Sequence, residues 1–230
     1  MRLVATDGHR LAKVDIEAPE TTSESSAIIP QVLFDKLTTN FKDFIKDDKF
    51  EVSINENSCF FKLDNCIIET KLIQGYFPKY MDVIPEAKNT IKLDFDDFKD
   101  KLKMLPKIPA KVDFGSLALD IKSAVVTLIQ QWCDDDNWVV DQGGHLAHNT
   151  RWTLERKIFI NPRFLLDYIT TAKGTDLDFS YTTPNKPLLF RSEDKDLNLK
   201  STYVLMPVDG ETHGNEPKEI EESSEVKTAA

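Results

Sequence analysis

The chain has 230 residues, long enough for one large domain or two smaller ones with their own cores. Hydrophobic residues make up 40% and charged residues 30%, the longest apolar run (around Ala124–Val126) is far too short to span a bilayer, and the charged start (Arg2, Asp7, Arg10) has no leader-like apolar stretch; this composition excludes a membrane-spanning class and predicts a cytoplasmic protein without a signal peptide. The net charge of −10 argues at first against a nucleic-acid partner, but seven acids and two lysines from Asp209 onward carry half of it, leaving −5 on residues 1–208, a balance compatible with one basic face.

The first run, Val4–Thr6, meets Asp7-Gly8, the residue pair of a tight hairpin turn, and a second short β-like run follows. Three related blocks come next. Pro30–Leu37 is echoed by Phe95–Leu102 and again by Pro162–Ile169, at offsets of 65 and 67 residues, which points to repeated supersecondary units. Each block is preceded by a strand-like run: Ala27–Ile29, Thr90–Leu93 and Lys157–Ile160. Each block itself has helical spacing. Leu33, Leu37, Phe41 and Ile45 share one face in the first; Phe95, Phe98, Leu102 and Leu105 in the second; Leu165, Ile169 and Ala172 in the third. Pro30 and Pro162 stand near a helix start, where proline is tolerated.

Strand-like runs follow every helix. They are Phe50–Ile54, Cys59–Leu63 and Ile67–Ile73 in the first unit, and Leu117–Ile121 and Val125–Ile129 in the second. The third has Leu177–Tyr181, Leu188–Phe190 and Thr202–Met206. Polar clusters at Asn55–Ser58 and Thr183–Lys186 separate them. The repeat therefore reads β-α-β-β-β, and the fold class as α+β, with helices on one face of mainly antiparallel sheets. Residues Trp132 to Trp152 look least regular, a last strand with an irregular insertion. The tail from Asp209 to Ala230 is rich in Glu, Ser, Thr and Lys and reads as disordered. The three cysteines, Cys59, Cys66 and Cys133, form neither a disulfide framework nor a metal array and read as reduced thiols.

Three motifs stand in order along the chain: Val4-Ala-Thr-Asp-Gly-His-Arg-Leu11, then Gly75-Tyr-Phe-Pro-Lys-Tyr80 with Val83-Ile-Pro85, then Tyr203-Val-Leu-Met-Pro-Val208. They resemble, in turn, the central signature, a second motif and the closing segment of the bacterial DNA sliding clamp family, the β subunit of DNA polymerase III. The resemblance covers roughly residues 1–208. It implies an N-terminally truncated clamp: residues 1–85 as the second half of the middle domain, residues 86–208 as the C-terminal domain, and residues 209–230 as an acidic tail. It also implies a non-catalytic processivity factor that needs no cofactor. Such a protein tethers polymerase, clamp loader and repair proteins to duplex DNA; two copies of this half cannot close the usual ring, so the resemblance implies a companion N-terminal chain, or an oligomer through its exposed edges. The implied pocket for partner peptides comprises Thr6, Gly8, His9, Arg10, Leu11, Pro78, Val83, Pro187, Val204, Leu205, Met206, Pro207 and Val208. Implied DNA-facing cations are Lys36, Lys42, Lys99, Lys101, Lys103, Lys107 and Arg163, which would contact phosphates without reading sequence. Two departures weaken the DNA side: Gln31-Val32 stand where the family often has a basic pair, and Asp82 where it often has arginine.

Local chemistry keeps other readings open. Asp7-Gly8 is first of all a turn, and the helix lysines are interleaved with Asp35, Asp97 and Asp100, as on an ordinary solvated face. A stand-alone module that binds clamp-partner peptides without encircling DNA is one alternative. A small metalloenzyme built on Cys133, Asp141, His145 and His148 is another, although their spacing fits neither a zinc nor an EF-hand site.

Overall fold

The computed structural model describes residues 1–17, 25–40, 51–63, 66–86, 88–105, 115–122, 125–134, 137–147 and 156–208. Residues Met1–Glu17 and Met81–Ala230 form one compact unit, and Ala18–Tyr80 a second.

In the first unit, β1 (Arg2–Thr6) and β2 (Arg10–Ile16) make a hairpin. The second unit is the smaller. It holds α1 (Gln31–Thr39) and a sheet of β3 (Glu51–Ile54), β4 (Ser58–Leu63) and β5 (Cys66–Lys71), all antiparallel. Leu33 and Leu37 of α1 pack on Cys59, Phe61 and Leu63 of β4 to form its core. The expected strand at Ala27–Ile29 is absent: these residues join no ladder, although the Ile28 carbonyl accepts from the Ile73 amide at 2.9 Å. The inner-face positions Phe41 and Ile45 lie outside the described residues.

The larger unit continues with β6 (Asn89–Asp94), α2 (Phe95–Met104), β7 (Gly115–Lys122), β8 (Val125–Asp134) and β9 (Asn137–Ala147). Then come β10 (Arg156–Ile160), α3 (Pro162–Thr171), β11 (Asp176–Tyr181), β12 (Leu188–Asp194) and β13 (Leu199–Leu205). The repeats exchange strands. β6, which opens the second repeat, pairs with β11 of the third, and β10, which opens the third, pairs with β7 of the second. Two sheets result, β10-β7-β8-β9 and β1-β2-β13-β12-β11-β6. The six-stranded sheet thus joins the N-terminal hairpin to the last strands of the chain. Its core holds Phe95, Phe98 and Leu102 of α2, Leu165 and Ile169 of α3, and inward residues of both sheets, among them Leu117, Ile158, Phe179 and Phe190.

Both helices start on side-chain caps. The Asp94 carboxylate accepts from the Asp97 amide, and the Asn161 side-chain carbonyl accepts from the Arg163 amide, with Pro162 in the first turn.

Of the stretch expected to hold a last strand and an irregular insertion, residues 132–134 and 137–147 are described and are paired strand, while residues 148–152 lie outside the described residues. β8 runs to Asp134 and β9 returns from Asn137, with a register shift where Thr127 faces His145 and Leu128 faces Gly143. Gly144 is the extra residue of that bulge, and one inserted residue breaks the period of two by which strands are read from sequence.

Candidate functional site

Strand alternation gives the six-stranded sheet two unlike faces. On the helix side a row crosses all six strands: Ile91, Phe179, Phe190, Tyr203, Ala12 and Ala5. Its first four members belong to the core, where Phe179 and Phe190 stack at 5.1 Å. One residue along, on the opposite face, a second row reads Thr90, Ser180, Leu189, Val204, Leu11 and Thr6. Three apolar side chains occupy its middle and hydroxyls its ends, the Thr90 and Ser180 hydroxyls bonding each other at 2.9 Å. Leu11, Leu189 and Val204 are buried, yet belong to neither core cluster. They form a separate apolar strip on the face away from α3.

The β1–β2 turn borders this strip. Gly8 has φ +88°, a conformation that favours glycine, and the Asp7 carboxylate accepts from the His9 and Arg10 amides at 3.0 and 3.1 Å. Arg10 projects to the helix side. Its guanidinium donates to Asp7 at 2.9 Å and to Asp167 of α3 at 2.6 Å, and lies 4.2 Å above the Phe164 ring. His9 stacks on the same ring at 6.3 Å. Burial alone would lower the Arg10 pKa, but the bonds to Asp167, Asp7 and Tyr203 outweigh it and raise it further. Desolvation likewise works against the Asp7 carboxylate, and the bonds from Arg10 and the turn amides win, holding it below the usual range.

Tyr203 completes the link. Its hydroxyl donates to the Phe164 carbonyl at 2.8 Å and its ring stacks on Tyr168 at 4.5 Å. Burial pushes the Tyr203 hydroxyl up to about 12, against the pull of Arg10. Behind it the Tyr168 hydroxyl bonds Ser201 at 2.8 Å, and Ser201 bonds Ser192 at 2.7 Å. Past β13, the Met206 amide donates to the His9 carbonyl and the Val208 amide to the Phe159 carbonyl of β10, at 2.9 and 2.8 Å. Residues 206–208 thus run from the turn of the hairpin to the edge of the other sheet.

The expected pocket residues therefore fall into several groups. Thr6, Leu11 and Val204 share the face away from α3; Gly8 and Met206 lie at its end, and Pro207 and Val208 run on towards β10; His9, Arg10 and Leu205 lie on the α3 side instead. Pro187 precedes β12 and is half-buried, Val83 is exposed at the end of a 3-10 turn, and Pro78 belongs to the second unit. Leu189, Phe164 and Asp167 were missed. For Leu189 the signal was available, since it lies one register step from Val204; Phe164 and Asp167 needed the fold.

Of the expected DNA-facing cations, Lys101 pairs with Asp97 at 3.1 Å and Lys103 with Asp100 at 3.9 Å, both within α2. Lys99 lies 5.9 Å from the Phe95 ring. Lys36 and Arg163 are exposed on α1 and α3, and Lys42 and Lys107 lie outside the described residues. The ladder also separates the candidate metal ligands: Cys133 faces Trp138 near the hairpin tip and His145 faces Thr127, about 20 Å down the strand. His148 lies outside the described residues.

Residues 1–79 match the family profile of the DNA polymerase III beta subunit, central domain. The beta sliding clamp of Caulobacter vibrioides is 28% identical over 216 residues, covering 90% of this chain and 54% of that protein. That of Bacillus subtilis is 23% identical over 207 residues, covering 89% and 52%. Among solved structures, the sliding clamp of Bartonella birtlesii bound to griselimycin superposes with a TM-score of 0.72 at 28% identity, covering 90% of this chain and 54% of that one. The Caulobacter crescentus pol III beta structure does so at 0.71 and 26%, with the same coverage. The chain spans about half the length of the curated relatives it matches. Motifs, strand-exchanged α+β repeats and these likenesses agree: residues 1–79 carry the central-domain profile, and the chain is similar along about 90% of its length to bacterial beta sliding clamps.

Proposed function

We propose that this chain is a non-catalytic, cytoplasmic processivity component that holds DNA polymerase and other replication proteins through short peptide motifs seated on the Leu11–Val204–Leu189 strip. The observation that carries this reading is the strip itself: an apolar row, buried but in neither core cluster, bounded by the Gly8 turn and by Met206, which is 41% exposed. An apolar floor with a few polar groups at its rim is what a peptide pocket requires, and an exposed methionine suits a site that takes several related sequences. A Bartonella birtlesii relative holding griselimycin is consistent with a ligand site in this family. We assign residues 1–85 to the second half of a middle domain and 86–208 to a C-terminal domain. The β2–β13 pairing would then make the pocket's backbone continuous across both.

Peptide binding is better supported than phosphate binding, because Lys101 and Lys103 are already paired with acids of their own helix. Anisotropy titration of a fluorescent clamp-motif peptide tests the proposal. Saturable binding that weakens about tenfold in Met206→Ala is expected, a typical loss for a contact residue. No binding at high micromolar protein overturns it. Duplex binding, if present, should fall steeply with salt.

A further inference from the structure

The face away from α3 carries more than the apolar strip. Two residues on along every strand, about 7 Å away, a further row crosses it: Lys92, Asp178, Arg191, Thr202, Lys13 and Val4. Arg191 thus stands beside Leu189 on β12, and Lys92 beside Thr90 on β6.

The cations of this face differ in what holds them. Lys13 is drawn onto Asp15 at 2.7 Å, Arg2 onto the same carboxylate at 2.6 Å, and Lys200 lies 3.6 Å from Glu193. Lys92 and Arg191 are exposed and make no ion pair among the described residues. Asp178 faces Lys92 on one side of the ladder and Arg191 on the other, yet its buried Oδ1 accepts no hydrogen bond among the described residues. One carboxylate between two cations leaves a surplus positive charge at the Leu189 end of the strip.

We propose that Lys92 and Arg191 form an acid-reading subsite at the margin of the strip, which takes a Glu or Asp side chain of the partner peptide. The inference rests on the strip being the peptide's seat, and adds which flanking residue is selected there. An extended peptide places side chains two apart on one face, about 7 Å from each other, which is the step from Leu189 to Arg191. An apolar residue over Leu189 therefore sets the residue two positions away over the cations. The arginine fork matches a carboxylate, and Lys92 supplies a second donor from two strand spacings away, about 10 Å, a gap that two long side chains close around one carboxylate. Residues 1–208 carry a net charge of −5, which repels an acidic peptide, so a preference for one has to come from a local site of this kind.

Anisotropy titration of the full 230-residue chain tests it with three fluorescent clamp-motif peptides of identical apolar residues. Two carry Glu two positions beyond the apolar residues, one at each end, and the third carries Gln at both places. One of the Glu peptides should bind about three- to tenfold more tightly than the Gln peptide at low salt, the scale of an exposed charge pair reinforced by a second cation, and the gain should shrink at about 0.5 M salt. Lys92→Gln and Arg191→Gln should each remove most of the gain without weakening the Gln peptide, and Arg191→Glu should reverse the preference in favour of a Lys-flanked peptide. Equal affinity for all three peptides, or a gain that survives both glutamine substitutions, overturns the subsite and leaves the strip reading intact. No binding of any of the three overturns both.

Discussion

Arg10 shows how much a single side chain is asked to do. Two carboxylates and one aromatic ring hold it, and through Asp167 and Phe164 it fastens the N-terminal turn to α3. Asp167 is 64% exposed, so its ion pair is screened; Asp167→Asn should cost less than about 1 kcal/mol. Arg10→Ala loses the ring contact as well and should cost about 1–2 kcal/mol in urea denaturation. Tyr203 makes the same region sensitive to alkali. Its folded pKa of about 12 lies above the ordinary tyrosine value near 10, so the folded state keeps the proton longer. That contribution is complete below pH 10 and is lost as pH rises from 10 through 12. A melting profile should decline across that window and flatten in Tyr203→Phe. Gly174 is a third sensitive position: φ is +143°, and an added Cβ would stand 2.8 Å from the Glu193 carbonyl oxygen. Gly174→Ala should therefore lower the melting temperature by several degrees, a loss of about 1–3 kcal/mol.

At the scale of elements, stability lies in the rows of the six-stranded sheet. Phe190 is fully buried between Phe179 and Tyr168, and Phe190→Ala should cost about 3–5 kcal/mol by chemical denaturation. Much of this was legible beforehand. The four-residue spacing of Phe98 and Leu102, and of Leu165 and Ile169, gave both helices of the larger unit because their buried stripes have no competing signal. Alternation gave most strands. It failed at β9, where the Gly144 bulge shifts the period, and at Ala27–Ile29, where a single bond from Ile73 to Ile28 is made and no ladder forms among the described residues. Local sequence records that a segment could be a strand, whereas the partner that makes it one is a property of the fold. The candidate site divided in the same way. Leu11 and Val204 were visible in motifs, but which face each residue takes depends on register, and register sent Arg10 to α3 and Leu11 to the opposite side.

For the whole molecule, the sheet that carries the strip is also the one that ties residues 1–17 to β13, so on the proposed function a peptide on the strip would be coupled to the hairpin through shared backbone bonds. The central claim is that partner peptides seat on that strip. Methyl-resolved NMR of the full chain, titrated with an unlabelled clamp-motif peptide, reads it directly. The claim requires saturable shifts at Leu11, Leu189, Val204 and Met206, with Leu37 and Leu63 in the other unit's core unmoved. Saturation with the strip silent, or shifts confined to the smaller unit, would contradict it.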